Sequence, residues 1–277
     1  ITGNVGKIKF WGHEISINSH NLVGAFKWDT NFNIAFSDNR VLALSGMSDY
    51  MLASTGIVQT ITKVGGRIGQ FYGMVQEGVY VADYDSSPKA VDSEVGTIKF
   101  KDVNGDGSIT YDDMGGDKTE LGNPYPKFTF GFTNNFSYKN FDLSVGTSFQ
   151  LGGRMRNQFY VSYALENNNM NLNNMVKDYW TPENPTNESA QPGNMGTYRS
   201  KAGSWGNQKS DVSHTMSSSD FFKITHVSLG YTFDKKLISK SFLTNLRLYC
   251  TVQNPMIICA DNVIVPEQLP TNVSSTD

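Results

Sequence analysis

From Phe128 to Tyr138 the even positions carry Phe128, Phe130, Phe132, Phe136 and Tyr138, while the odd positions carry Thr129, Gly131, Thr133, Asn135 and Ser137. Lys139-Asn140 follows, a two-residue connection containing a residue tolerant of positive φ. Phe141, Leu143, Val145, Phe149 and Leu151 then alternate with Asp142, Ser144, Gly146, Ser148 and Gln150. Period two on both sides of so tight a turn predicts an antiparallel hairpin.

The same rule finds further strands. Phe26, Trp28, Phe32, Ile34 and Phe36 share one parity of residues 25–37, opposite Lys27, Asp29, Asn31, Asn33 and Ser37. Residues 13–20 alternate more weakly through Ile15 and Ile17. Val227, Leu229, Tyr231 and Phe233 mark another strand between Phe221 and Phe233, and Leu246, Leu248, Cys250 and Val252 mark the last. The result is six strands of roughly ten residues, each with an apolar and a polar face, a length suited to crossing a bilayer.

A β-sandwich also alternates, because each sheet buries one face. The connections separate the two architectures. They run short (21–24), long (38–126), short (139–140), long (153–219), short to medium (234–243), then long again from about 255. Alternation of short and long links collects the bulky loops on one rim, as in outer-membrane barrels. The expected fold is therefore all-β, an antiparallel meander forming part of a transmembrane β-barrel with long extracellular loops at 38–126 and 153–219.

Composition narrows the function classes. Among 277 residues, 23 Lys and Arg stand against 26 Asp and Glu, a balance with no nucleic-acid footprint or polybasic membrane patch. No window approaches the 18 apolar residues of a membrane-spanning helix. The chain opens at Ile1-Thr-Gly-Asn without a charged-then-apolar leader, so either a signal has been removed or the chain is a piece of something longer. Cys250 and Cys259 make no metal spacing; a disulfide needs an oxidising compartment, and isolated thiols are the expectation. His13, His20, His214 and His226 are scattered, and neither a Gly-x-Ser-x-Gly elbow nor a phosphate-binding glycine loop occurs. Catalysis finds no support, and the chain reads as a non-enzyme.

The most specific motif is Asp102-Val-Asn-Gly-Asp-Gly-Ser-Ile-Thr-Tyr-Asp-Asp113. Asp102, Asn104 and Asp106 occupy loop positions one, three and five, Gly107 position six, Ile109 position eight, Thr110 position nine and Asp113 position twelve, the spacing of a calcium loop. The predicted ligands of a structural Ca²⁺ are Asp102, Asn104, Asp106, the backbone carbonyl of Ser108, and Asp113, with Thr110 or a water at position nine. Asp in place of Glu at position twelve reaches less far. The competing reading is an Asx-rich turn without metal. In the 153–219 link, Tyr160, Tyr163, Tyr179, Trp180, Tyr198, Arg199 and Trp205 offer aromatic and guanidinium platforms suited to sugars or peptides. Packing of the loop itself is the plainer reading for any one of them. A helical stretch is predicted from Gln158 to Tyr179.

Gly96-Thr-Ile-Lys-Phe-Lys-Asp-Val-Asn-Gly-Asp-Gly107 followed by Leu121-Gly-Asn-Pro-Tyr-Pro-Lys-Phe-Thr-Phe-Gly-Phe132 resembles the carboxy-terminal barrel region of SusC/RagA-like TonB-dependent transporters. Gly69-Gln-Phe-Tyr-Gly73, Tyr179-Trp-Thr-Pro-Glu-Asn-Pro185, Phe222-Lys-Ile-Thr-His-Val-Ser-Leu-Gly-Tyr-Thr-Phe233 and Leu246-Arg-Leu-Tyr249 with Gln253-Asn-Pro255 extend the resemblance in family order. It implies location in the outer membrane in contact with its lipid, import of an oligosaccharide or peptide driven by the TonB complex, and a SusD-like surface lipoprotein as partner. It also implies that 1–277 is the carboxy-terminal portion of a longer transporter, since six strands are too few for a barrel of about 22. Plug, most strands and the closing strand are missing, and Met256–Val265 departs from the family pattern. The alternative is a soluble or surface-attached β-domain, stabilised by calcium, that binds a glycan or protein ligand.

Overall fold

The computed structural model describes residues 6–45, 48–54, 59–81, 84–91, 93–157, 182–185, 213–239 and 242–260. In chain order the strands are β1 (Gly6–Val23), β2 (Phe26–Leu44), β3 (Tyr50–Ser54), β4 (Gln59–Lys63), β5 (Gln70–Met74), β6 (Gln76–Val79) and β7 (Ile98–Phe100). They continue as β8 (Lys118–Gly122), β9 (Phe128–Tyr138), β10 (Phe141–Leu151), β11 (Arg154–Arg156), β12 (Met216–Ser218), β13 (Phe221–Thr232) and β14 (Arg247–Cys259). One helical turn, α1 (Lys235–Ile238), lies between β13 and β14. The protein is all-β and antiparallel throughout its named strand pairs, as the alternation predicts.

By contacts the chain falls into two compact units. One holds Phe10–Asp38, Tyr125–Gly153 and Ser219–Asp277, and the other Ile1–Lys9, Asn39–Pro124 and Arg154–Ser218.

The first unit carries most of a six-stranded sheet in the order β1-β2-β9-β10-β13-β14. Its register puts the predicted faces where the sequence places them. Phe36, Phe128 and Leu151 align, as do Trp28, Phe136, Leu143 and Leu229, and Phe26, Tyr138, Phe141 and Tyr231. Rings pack along this face: Phe130 stacks on Phe149 at 4.2 Å, Phe149 meets Phe222 tilted at 4.5 Å, and Phe141 meets Tyr231 tilted at 4.7 Å. Each such pair contributes about 0.5–1.5 kcal/mol beyond area burial. Thr30 and Asn134 interrupt the face as aligned partners, and Asn134 Oδ1 accepts from the Thr30 hydroxyl (2.9 Å) and the Trp28 indole N–H (2.8 Å).

Three details depart from the sequence reading. The β9–β10 turn was expected to place its tolerant residue in the left-handed region, yet Lys139 adopts φ 53. Asn140 instead donates its amide to Thr232 O (2.7 Å) and Asp234 Oδ1 (2.9 Å), tying the next connection down. In β13 a bulge separates Ile224 from His226, so Phe222 and Ile224 align with Phe149 and Thr147, and Val227 aligns with Val145. One extra residue flips parity, which places even positions before the bulge and odd positions after it on the same apolar face. The strand β14 also runs past Val252 to Cys259, through Met256–Cys259, the start of the tract that departs from the family pattern.

The second unit contains most of the 38–126 link, which is folded rather than loop-like. It has a four-stranded sheet β3-β4-β5-β8 and the pairs β6-β7 and β11-β12. Val41, Ile61, Met74, Val79, Tyr80, Ile98 and Phe100 form its core, all buried to 2 % exposure or less. The whole of β5 is buried, so both of its faces are covered and alternation disappears. Tyr80 keeps its hydroxyl satisfied by donating to Pro88 O at 2.6 Å, and its ring meets Tyr84 edge-on at 5.4 Å. Cys250 and Cys259 are not joined in a disulfide.

Candidate functional site

The oxygen-rich loop lies between β7 and β8. Its first half is organised by side chains accepting from nearby backbone. Asp102 takes the N–H of Gly105 on one oxygen (2.6 Å) and that of Gly107 on the other (2.8 Å). Asn104 and Asp106 make successive Asx turns, accepting from Asp106 N (3.0 Å) and Ser108 N (2.8 Å). Gly105 and Gly107 supply φ +77 and +83, which only glycine adopts without strain. Ile109 is buried, and its N–H donates to Lys89 O at 3.2 Å.

Asp113, expected to close the ligand set, points elsewhere. Its Oδ1 accepts from Lys118 Nζ (2.6 Å) and Gln59 Nε2 (2.9 Å), and its backbone carbonyl accepts from the Tyr72 hydroxyl (2.5 Å). The Lys118 hydrogen bond holds the Asp113 carboxyl below the ordinary carboxylate range, with Gln59 adding to it. Tyr72 is pushed above the usual phenol range, first by burial and then by the nearby Asp113 charge. Thus Asp102, Asn104, Asp106 and Ser108 come together around one turn, and Asp113 does not join them. Among the described residues no three His, Cys, Asp or Glu side chains converge as a metal-holding group.

The sequence reading missed Asp117, which is fully buried. Its Oδ1 accepts from Val103 N (2.8 Å) and its Oδ2 from Thr110 N (2.7 Å), bridging the entering and leaving arms of the loop. A buried carboxylate taking two backbone N–H groups is strongly held. Its only signal in the sequence is an acidic residue just beyond the motif.

The polar face of the large sheet is the second candidate surface. Asp29, Asn135, Ser144, Ser228 and Thr251 form one cross-strand row, and Asn31, Thr133, Gly146, His226 and Gln253 the next. Ser144 donates to Asn135 Oδ1 (2.7 Å), so its oxygen is left to accept from His226 Nε2 at 3.2 Å. Thr225, the bulged residue, meets His226 Nδ1 at 3.3 Å. The His226 ring lies across Gly146, and the Asp142–Arg247 pair lies across Gly230. Long polar side chains draped over glycines make a wall of hydrogen-bonding groups, in which the Ser144 proton is committed to Asn135. His226 thus faces the polar side, as its parity predicts.

Tyr160, Tyr163, Tyr179, Trp180, Tyr198, Arg199, Trp205 and the helical stretch predicted over 158–179 lie outside the described residues.

No family model matches the chain. Relatives do. TonB-dependent receptor P26 of Formosa agariphila is 30% identical over 281 residues, covering 95% of this chain and 26% of the relative. TonB-dependent receptor SusC of Bacteroides thetaiotaomicron is 29% identical over 278 residues, covering 96% of this chain and 25% of SusC. The chain is a homologue of SusC-type TonB-dependent receptors. The fold agrees: the RagAB peptide importer in its open-open state superposes with a TM-score of 0.74 at 17% identity, covering 95% of this chain and 26% of that one. The RagAB peptide transporter structure gives 0.71 at 15% identity, over 93% and 26% respectively. The chain spans about a quarter of the length of the relatives it matches. Their names are those of receptors and transporters, not enzymes.

Proposed function

We propose that this chain is the carboxy-terminal arc of an outer-membrane barrel that imports an oligomeric nutrient, a glycan or a peptide, with energy from TonB. The observation that carries this reading is the six-stranded sheet with one aromatic and aliphatic face and one hydrogen-bonding face. Such a sheet suits lipid on one side and a wet lumen on the other. Its β1–β2 and β9–β10 connections are two residues each, at 24–25 and 139–140, whereas the opposite connections are long enough to contain a folded unit. On this reading the 38–126 and 153–219 segments face the outside of the cell. There they contribute to substrate capture under a SusD-like lipoprotein. Tyr179, Trp180, Tyr198, Arg199 and Trp205 are the proposed substrate contacts. The remainder of the barrel, with its plug, belongs to the longer protein.

Single cysteines introduced into the full-length protein in its cysteine-free form test the two faces. At Ser144 and Ser228 they should react with a water-soluble maleimide in intact outer membranes; at Leu143, Val145 and Leu229 they should react only after detergent extraction. Equal labelling of both parities in membranes would refute the barrel. For import, deleting the gene should abolish growth on one oligomeric nutrient while sparing growth on its monomers.

A further inference from the structure

We propose that residues 102–117 form a calcium-type loop closed from within, the Asp117 carboxylate organising the two arms as a cation otherwise would. The loop then keeps its shape without metal. This inference is independent of the transport reading.

A calcium loop needs six or more oxygens directed at one point, with a bidentate carboxylate at position twelve drawing the second arm onto the first. Here the second arm is drawn in by other means. Asp117 spans both arms through Val103 N and Thr110 N, and Thr110 O in turn accepts from Asp117 N at 3.2 Å. Being fully buried, this carboxylate is shielded from water, so its charge-assisted bonds are not exchanged for solvent.

The position-twelve group is meanwhile committed elsewhere. Lys118, only 9% exposed, holds Asp113 in an ion pair at 2.6 Å, and its charge neutralises that carboxylate. Between positions three and five the geometry also favours a closed turn. Asn104 directs its amide N–H₂ at Asp106 Oδ2 (3.0 Å) and at Gly115 O (3.0 Å), a donor where a cation would need acceptors only. The Asx turns that resemble half of a calcium site are thus complete as hydrogen-bonded turns.

The full-length protein in detergent is digested within this loop, with EDTA or with excess calcium, as wild type, Asp117→Asn and Asp113→Asn. An amide at position 117 keeps one acceptor and confronts the other of the two N–H donors with a donor of its own, in a buried site, so cleavage of Asp117→Asn should be about tenfold faster or more. Wild type should be cut at the same rate in both buffers, and Asp113→Asn should stay within about threefold of it. A tenfold acceleration by EDTA, or Asp113→Asn as fast as Asp117→Asn, would overturn the proposal. A saturable terbium luminescence signal lost in Asp113→Asn would overturn it as well. Where Asp117→Asn yields no folded protein, hydrogen exchange of the Val103 and Thr110 amides in wild type decides. Protection that survives EDTA supports internal closure, and protection lost in EDTA refutes it.

Discussion

Replacing Gly146 by alanine tests whether the polar face is built by draping side chains over glycine. Gly146 sits in β10 with an ordinary backbone conformation, so the substitution is not opposed by φ. In an open strand position Gly→Ala stabilises by about 0.4–1 kcal/mol, because the unfolded chain loses freedom. Here an added Cβ would lie 2.4 Å from His226 Cε1, 2.6 Å from its Nδ1 and 2.7 Å from Thr225 Oγ1. The ring must swing away and surrender its contacts to Ser144 and Thr225. Two hydrogen bonds at about 0.5–1.5 kcal/mol each amount to about 1–3 kcal/mol, which outweighs the entropic gain. The expected net loss is about 0.5–2 kcal/mol. In a His226→Ala background only the Thr225 hydroxyl remains close, so the cost should fall by most of the His226 contribution. The assay is urea unfolding of the folded barrel in detergent for wild type, both single variants and the double variant, read as a double-mutant cycle. If Gly146→Ala costs the same with and without His226, the coupling is absent and the reasoning fails.

Phe149→Ala removes the stacked contact with Phe130 at 4.2 Å and the tilted contact with Phe222 at 4.5 Å. At about 0.5–1.5 kcal/mol per ring pair it should lose about 1–3 kcal/mol in the same unfolding assay, and a loss indistinguishable from zero would contradict the stacking account. Acid should loosen the Asp113 clamp. Because its carboxyl is held below the ordinary range by Lys118, its stabilisation is present above the unfolded value near about 4 and is lost as pH falls through the lower folded value. Proteolysis around Gln59 and Lys118 should accelerate only in that acidic window, and Asp113→Asn should flatten the profile. With the Asp113 side chain 49% exposed the effect is small, and a transition near neutrality would exclude this clamp as its source.

Much of the large sheet was legible in residues alone, for a physical reason. A strand with unlike surroundings on its two sides must alternate, and Phe128–Tyr138 with Phe141–Leu151 alternate through a two-residue turn that leaves one register. The parity of Phe222 was not legible, since Phe221 and Phe222 are adjacent aromatics and a bulge at Thr225 chooses between them. The unit around Tyr80 and Phe100 gives no strand signal in the sequence because its strands are three to five residues long, too short for a period to show.

The oxygen-rich loop divides along the same line. Spacing alone determined the turn from Asp102 to Ser108, because those hydrogen bonds join residues two to five positions apart. What closes the loop was decided in three dimensions. Gln59 and Lys118 approach the Asp113 carboxylate, and Tyr72 its backbone carbonyl, from strands on the small sheet, while burial makes Asp117 the carboxylate that accepts from both arms. Local spacing encodes short-range turns, whereas the choice between two nearby acids depends on which neighbours the tertiary fold delivers and which of the two it shields from water.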